Sequence, residues 1–214
     1  MRESRPRRML AIVKLGGSHA LATHLKDWLC ALAGCGGRVV IVPGGGPFAD
    51  VVRQTQPVIG FDDRAAHRMA LLAMEQFATA ICSLEPTFVL ATSRHAIEAA
   101  IRLDRTAVWL AARMALAAAD LPASWDLTSD SLAAWLAHRL GARFLVLVKH
   151  AGPFLGECLE ATKLAAQGVV DPLFPKYLRA SLAEGALARP SEYASVAQAI
   201  RMGVCPGTRI ELAT

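Results

Sequence analysis

Two glycine-rich turns within the first fifty residues constrain this chain more than any other feature. Val39-Val40-Ile41-Val42-Pro43 is apolar and largely β-branched, which predicts a buried strand, and Gly44-Gly45-Gly46 ends it. Pro47-Phe48-Ala49-Asp50-Val51-Val52-Arg53 then opens a helix, with proline where a missing N–H is tolerated. Upstream, Leu10-Ala11-Ile12-Val13 is a second strand-like run, followed by Lys14-Leu15-Gly16-Gly17-Ser18 and a further helical segment. Glycine lets backbone amides approach an anion closely because no Cβ intervenes. The helix behind such a turn aims its unpaired N–H groups and positive dipole end at the same place. Gly16, Gly17, Ser18, Gly44, Gly45 and Gly46 are therefore candidate phosphate-binding residues. Two such turns facing each other suit the movement of a phosphoryl group.

The remaining sequence continues the alternation. Strands are predicted at 9–13, 38–43, 87–91, 107–110, 143–148 and 208–212, and helices at 18–33, 47–54, 63–83, 94–103, 131–140 and 192–202. Residues 55–60 read as a loop, 114–120 as a loop or short helix, and 167–179 as loop followed by short helix. Strands separated by helices predict an α/β chain with a mostly parallel sheet covered on both faces. At 214 residues, one core and a single domain spanning 1–214 is the simplest organisation.

Charge and cysteine usage exclude several classes of function. Of the net charge of +5, the first eight residues carry +3, which points to a basic terminal tail and away from a nucleic-acid-binding face. Five scattered cysteines without a Cys-x-x-Cys pair read as reduced core thiols of a cytoplasmic protein. Lys14 and two glycines interrupt the apolar run after Arg7-Arg8 too early for an export signal. No segment approaches 18 uncharged apolar residues, so no membrane partner is expected.

Gly44-x-Gly46-x-x-Ala49 fits the loose dinucleotide fingerprint, but the following region is a long helix around His67, with no strand closed by an acid. No Gly-x4-Gly-Lys-Ser/Thr occurs, which excludes a P-loop. Lys14 and Lys149 each close a predicted strand, and a parallel sheet brings both to its carboxyl edge, where they can neutralise a transferring phosphoryl group. Asp130 precedes a helix and is either a cap, a role open equally to Thr128 or Ser129, or a catalytic carboxylate. At the start of the long helix Arg64 and Arg68 share a face, with His67 beside them. Arginine pairs well with phosphate, so these three are candidate substrate-binding residues for a phosphate acceptor.

Val13-Lys14-Leu15-Gly16-Gly17-Ser18, Val42-Pro43-Gly44-Gly45-Gly46, Thr128-Ser129-Asp130, Val148-Lys149 and Gly207-Thr208-Arg209-Ile210 resemble, in order, the motifs of the amino acid kinase superfamily. Asp63-x3-His67-Arg68-Met69-Ala70-Leu71-x2-Met74-Glu75-Gln76 and Trp125-Asp126-Leu127-Thr128-Ser129-Asp130-Ser131-Leu132-Ala133 resemble a smaller branch of it. Members of that branch phosphorylate an aminomethyl-furanmethanol phosphate to a diphosphate in methanofuran-type coenzyme synthesis. The resemblance implies a three-layer αβα sandwich, with the acceptor over residues 9–125 and ATP over 126–214. It implies Lys14 and Lys149 as charge stabilisers, Asp130 as the residue orienting them, and Asp171, Phe174 and Lys176 at the nucleotide. ATP, Mg²⁺ and a homo-oligomeric state follow from the same likeness. Two alternatives stand beside this reading: a uridylate-type nucleotide kinase, and a non-catalytic anion-binding or sensor protein. The latter is favoured by Lys149-His150-Ala151-Gly152, where many relatives carry an aspartate in place of Ala151.

Overall fold

A computed structural model describes residues 9–149 and 158–213, with only the backbone of His19 and Leu21. The basic tail and the turn containing Ala151 lie outside the described residues. In chain order the elements are β1 (Ala11–Leu15), α1 (Leu25–Ala33), β2 (Val39–Pro43), α2 (Gly46–Ile59), α3 (Asp63–Leu84), β3 (Val89–Ala91) and α4 (Arg94–Arg102). There follow β4 (Ala107–Trp109), α5 (Ala112–Leu116), α6 (Ser129–Leu140), β5 (Phe144–Val148), β6 (Cys158–Glu160) and α7 (Ala161–Ala166). The chain closes with α8 (Phe174–Ser181), β7 (Glu184–Ala188), α9 (Tyr193–Met202) and β8 (Thr208–Glu211).

The eight strands form one sheet in the order β3-β4-β2-β1-β5-β7-β8-β6. Every pairing is parallel except β7 with β8. Side chains alternate across the central strands and sort into two cores. Ala11, Val13 and Leu15 of β1 join Val39, Ile41 and Val146 against Trp28 and Leu32 of α1 and Val196 and Ile200 of α9. Ile12 joins Val40, Val42, Leu145 and Leu147 against Leu132, Leu136 and Leu140 of α6 and Phe174 and Leu178 of α8. Helices thus cover both faces of a mostly parallel sheet, giving the expected αβα sandwich. Strand alternation also puts Lys14 on the same face as Ile12, beneath α6.

Three sequence-based expectations change. The helix expected over 18–33 opens as a 3₁₀ turn at Gly17–Leu21, and α1 begins only at Leu25. Residues 55–60 are not a loop, because α2 runs through Pro57 to Ile59 and is ended by Gly60. Gly60 takes a left-handed φ of 85° and its N–H donates to Gln56 O at 2.8 Å, so the glycine terminates the helix and the proline does not. The thiols are also not uniformly internal: Cys35 is buried, Cys82 and Cys205 are half-buried, and Cys30 and Cys158 are exposed.

Candidate active site

The two glycine turns touch. A Cβ on Gly17 would stand 2.0 Å from Gly46 N, and one on Gly46 would stand 2.5 Å from Gly17 O, so only glycine permits this backbone-on-backbone contact. Gly46 also takes a φ of 53°, which a side chain would strain. Gly44 N donates to Leu15 O at 2.8 Å, continuing the β1–β2 register past the strand ends. Gly16 and Gly44 are buried behind this contact, while Gly17, Ser18, Gly45 and Gly46 line a cavity of about 550 Å³.

Lys14, Asp130 and Lys149 converge beside the turns. Leu15 pairs with Val148 across β1 and β5, so the residues flanking those positions emerge together at the carboxyl edge. Lys14 Nζ lies 2.7 Å from Asp130 Oδ1, and Lys149 Nζ donates to Asp130 Oδ2 at 2.6 Å. Asp130 is 3% exposed and Lys14 4%, so this is a buried ion cluster. Burial alone would raise the Asp130 carboxyl, yet the charges of Lys14 and Lys149 hold it below its ordinary value. Burial, reinforced by the charge of Lys14, brings Lys149 down to about 8 against the pull of Asp130. Asp130 does not cap α6: both of its oxygens face lysines.

The cap position belongs to a different carboxylate. Asp171, 6% exposed, accepts from Thr128 N at 3.0 Å, Thr128 Oγ1 at 2.8 Å and Ser131 N at 3.0 Å, and also from Ser131 Oγ. It thereby satisfies the start of α6 from outside the helix. The oxygens expected at the nucleotide are here engaged by the start of the helix. Phe174, also expected at the nucleotide, is 0% exposed and lies in the core under α6. Of the three residues expected at the nucleotide, Lys176 alone is exposed.

The acceptor side also differs from expectation. His67 lines the cavity, but Arg64 and Arg68 are exposed and are absent from its lining. The cause is helical phase: Asp63, Ala66, His67, Ala70, Leu71 and Met74 face inward at three- and four-residue spacing, which turns positions 64 and 68 away. Arg53 is the arginine that lines the cavity. It lies one helical turn from Asp50 and Ala49, which also line the cavity, and its guanidinium carbon sits 4.4 Å from the Trp125 ring centroid. Arg53 lies within the helix expected over 47–54, and its spacing from Ala49 and Asp50 is the signal that places it on the same face. Burial lowers the His67 pKa, so this imidazole is neutral at pH 7.

Residues 9–152 match the amino acid kinase family, which is more than half of the chain. The chain belongs to that family. It is accordingly a phosphotransferase by class. Over 180 residues it is 27% identical to the [5-(aminomethyl)furan-3-yl]methyl phosphate kinase of Methanocaldococcus jannaschii, covering 78% of this chain and 82% of that protein. In architecture it is similar to the uridylate kinase of Archaeoglobus fulgidus, with a TM-score of 0.71 at 18% identity, covering 95% of this chain and 100% of that one. It also resembles the UMP kinase of Ureaplasma parvum, with a TM-score of 0.71 at 13% identity over 97% of this chain and 100% of that one. At such identities these two likenesses speak for the fold alone. Among the described residues, no helix is long and apolar enough to cross a membrane.

Proposed function

We propose that this kinase transfers the γ-phosphoryl group of ATP to the phosphate of a small phosphomonoester, [5-(aminomethyl)furan-3-yl]methyl phosphate or a close analogue, giving a diphosphate and ADP. The observation that carries this reading is the Lys14–Asp130–Lys149 cluster beside two abutting glycine turns, whose Gly17, Gly45 and Gly46 line a cavity large enough for a small phosphate ester. The acceptor would occupy the side built by residues 9–125 and the nucleotide the side built by 126–214. An oxygen of the acceptor phosphate attacks the γ-phosphorus, and the bond from that phosphorus to the β–γ bridging oxygen breaks, so ADP leaves with the electron pair. Lys14 and Lys149 neutralise the charge on the phosphoryl group as it moves, and Asp130 keeps both ammonium groups aimed at one point.

The state of Asp130 favours a phosphate nucleophile over an alcohol. A carboxylate with both oxygens held by lysines, and a lowered pKa, is a poor base for a hydroxyl proton. A phosphomonoester is already anionic near pH 7 and has no proton to surrender first. Arg53, Gly17, Gly45 and Gly46 would receive the acceptor phosphate. Mg²⁺ is the ion expected with ATP. The described residues contain no group of three or more His, Cys, Asp or Glu side chains able to cage it, so it would be carried by the nucleotide phosphates.

The test is an acceptor panel with ATP and Mg²⁺, read by ³¹P NMR for a new diphosphate. Turnover is expected with the furan phosphomonoester and absent with its free alcohol, glutamate and aspartate. Faster turnover of UMP would replace this reading with the uridylate one. Absence of ADP with every acceptor would leave the non-catalytic one.

A further inference from the structure

The ionisable side chains lining the cavity are Asp50, Arg53, Asp63 and His67. Three of them are accounted for. Arg53 Nη1 lies 3.8 Å from Asp50 Oδ1, so these two charges offset each other, and His67 is neutral through burial. Asp63, exposed in the first turn of α3, has no such partner. Its Oδ1 accepts from Gln56 Nε2 at 2.8 Å, and among the described residues no lysine, arginine or histidine lies within ion-pair distance of it.

Gln56 holds that carboxylate in a fixed orientation. Its Oε1 accepts from Trp125 Nε1 at 2.6 Å, so the amide must present Nε2 to Asp63, because the reverse setting would face two N–H groups at Trp125. The relay Trp125–Gln56–Asp63 joins the loop before α6 to α2 and α3, and it leaves Asp63 Oδ2 without a partner among the described residues. The rest of the lining is mixed: Ala66, Leu71, Met74, Leu127, Leu132 and Trp125 supply an apolar and aromatic wall, and Ser124, Thr128 and Ser129 add hydroxyls. The cavity thus carries anion-binding amides and Arg53 as one recognition element, and an uncompensated carboxylate as another.

Resting on the kinase reading above, we propose that Asp63 Oδ2 receives an alkylammonium group of the acceptor, so that the site selects a zwitterionic phosphomonoester. Its phosphate lies at the glycine turns and its ammonium at Asp63, with the uncharged ring along the apolar wall. Gln56 is a positioning residue, acting through Asp63. A nucleoside monophosphate with a neutral base brings no cation to this position and leaves the carboxylate unmatched.

Two esters decide the matter: [5-(aminomethyl)furan-3-yl]methyl phosphate and its counterpart with methyl in place of aminomethyl. Each is titrated calorimetrically into the full chain without ATP, and each is assayed with ATP. The amino ester should bind about tenfold more tightly, the discrimination typical of one charge-assisted hydrogen bond. Asp63→Asn should raise KM for the amino ester about tenfold while the methyl ester and ATP keep theirs, and Gln56→Ala should do the same to a smaller extent. Equal binding of the two esters by the wild type overturns the ammonium subsite. So does an Asp63→Asn variant that loses both esters alike, which would make Asp63 part of the start of α3 and nothing more. Tight, amine-dependent binding with no diphosphate formed would keep the subsite and remove the kinase reading. Failure of both esters to bind would remove both.

Discussion

Asp130 and Asp171 are both buried at the first turn of α6, and their surroundings drive them in opposite directions. Asp130 meets two ammonium groups, which hold its carboxyl below its ordinary value against the effect of burial. Asp171 meets two hydroxyls and two backbone amides, all neutral donors. Burial raises its pKa, the charge of Asp130 raises it further, and the bonds from Ser131 and Thr128 oppose the shift without reversing it. The lesson is that burial by itself does not decide what a carboxylate is for: formal charge on the partners separates the chemical group from the structural one. The first turn of α6 uses one of each, Asp171 to hold the turn and Asp130 to hold the lysines.

The comparison breaks most visibly at Asp130. Asp130→Asn leaves the buried Lys14 and half-buried Lys149 ammonium groups facing each other without a counter-charge, which should cost about 3–5 kcal/mol of stability and abolish turnover. A variant with a wild-type denaturation midpoint and normal kcat would show that the cluster does not matter. Lys14→Ala leaves Asp130 still paired with Lys149, so its cost should fall on the barrier: about 10²–10³ in kcat, or roughly 3–4 kcal/mol. Circular dichroism and steady-state kinetics on the same preparation separate the two effects, and retention of more than about a tenth of turnover contradicts the role given to Lys14.

Asp171→Asn belongs on the other side of the comparison. It should lower stability by about 1–3 kcal/mol, because an amide cannot accept from all the donors that the carboxylate satisfies. KM for ATP should stay within about twofold, since both Asp171 oxygens are engaged by Thr128 and Ser131; a much larger KM(ATP) effect would support the nucleotide role expected from the family resemblance.

The smallest effects are those of pH, and their signs differ by residue. Asp130, with a lowered pKa, contributes stability present above the ordinary value of 3.8 and lost as pH falls through its folded pKa. Asp171, with a raised pKa, contributes stability that is complete below 3.8 and lost as pH rises through its folded pKa. Urea midpoints between about pH 3 and 6 should therefore show a weaker acid loss in Asp130→Asn than in wild type and a steeper one in Asp171→Asn. For Lys149 the group must be charged to act, so turnover should decline as pH rises through about 8. The penalty for burying that charge is complete below about 8 and gone above 10.5, so its contribution to stability rises where activity falls. Activity and midpoints that decline together above pH 8 would show that Lys149 is not the group titrating.

The amino-terminal half was legible in the sequence because its signals are local. β1 and β2 are runs of β-branched and apolar residues, each followed by glycines at a turn only glycine can make, and the paired motifs announce where Lys14 will emerge. The carboxyl-terminal half reads poorly for equally physical reasons. β7 is Glu184-Gly185-Ala186-Leu187-Ala188, with no β-branched or aromatic residue, and it is a strand because β5 and β8 flank it. β6 and α7 span only three and six residues, too short for either period to register. Asp171 lies 40 residues from Ser131 in sequence, so nothing near either position marks their contact. Arg64 and Arg68 carried the right chemistry on the wrong side of α3, a matter of about 100° of helix rotation that a charge pattern alone does not encode.

The placement of Lys14 has one more consequence. β1 is hydrogen-bonded along both sides, to β2 and to β5, with four strands of the sheet beyond it on one side and three on the other. Its amides therefore open to solvent only when the centre of the sheet comes apart, and in deuterium exchange they should be among the last to be replaced. Trp125 hangs on a loop outside the sheet, tied down by one side-chain hydrogen bond and a stacked arginine, so its backbone should exchange early. The chemical end of the site is thus mounted on the slowest-opening part of the molecule and the recognition end on one of the fastest. Substitutions in the loop can retune which acceptor is taken while the strand that carries the lysine stays closed.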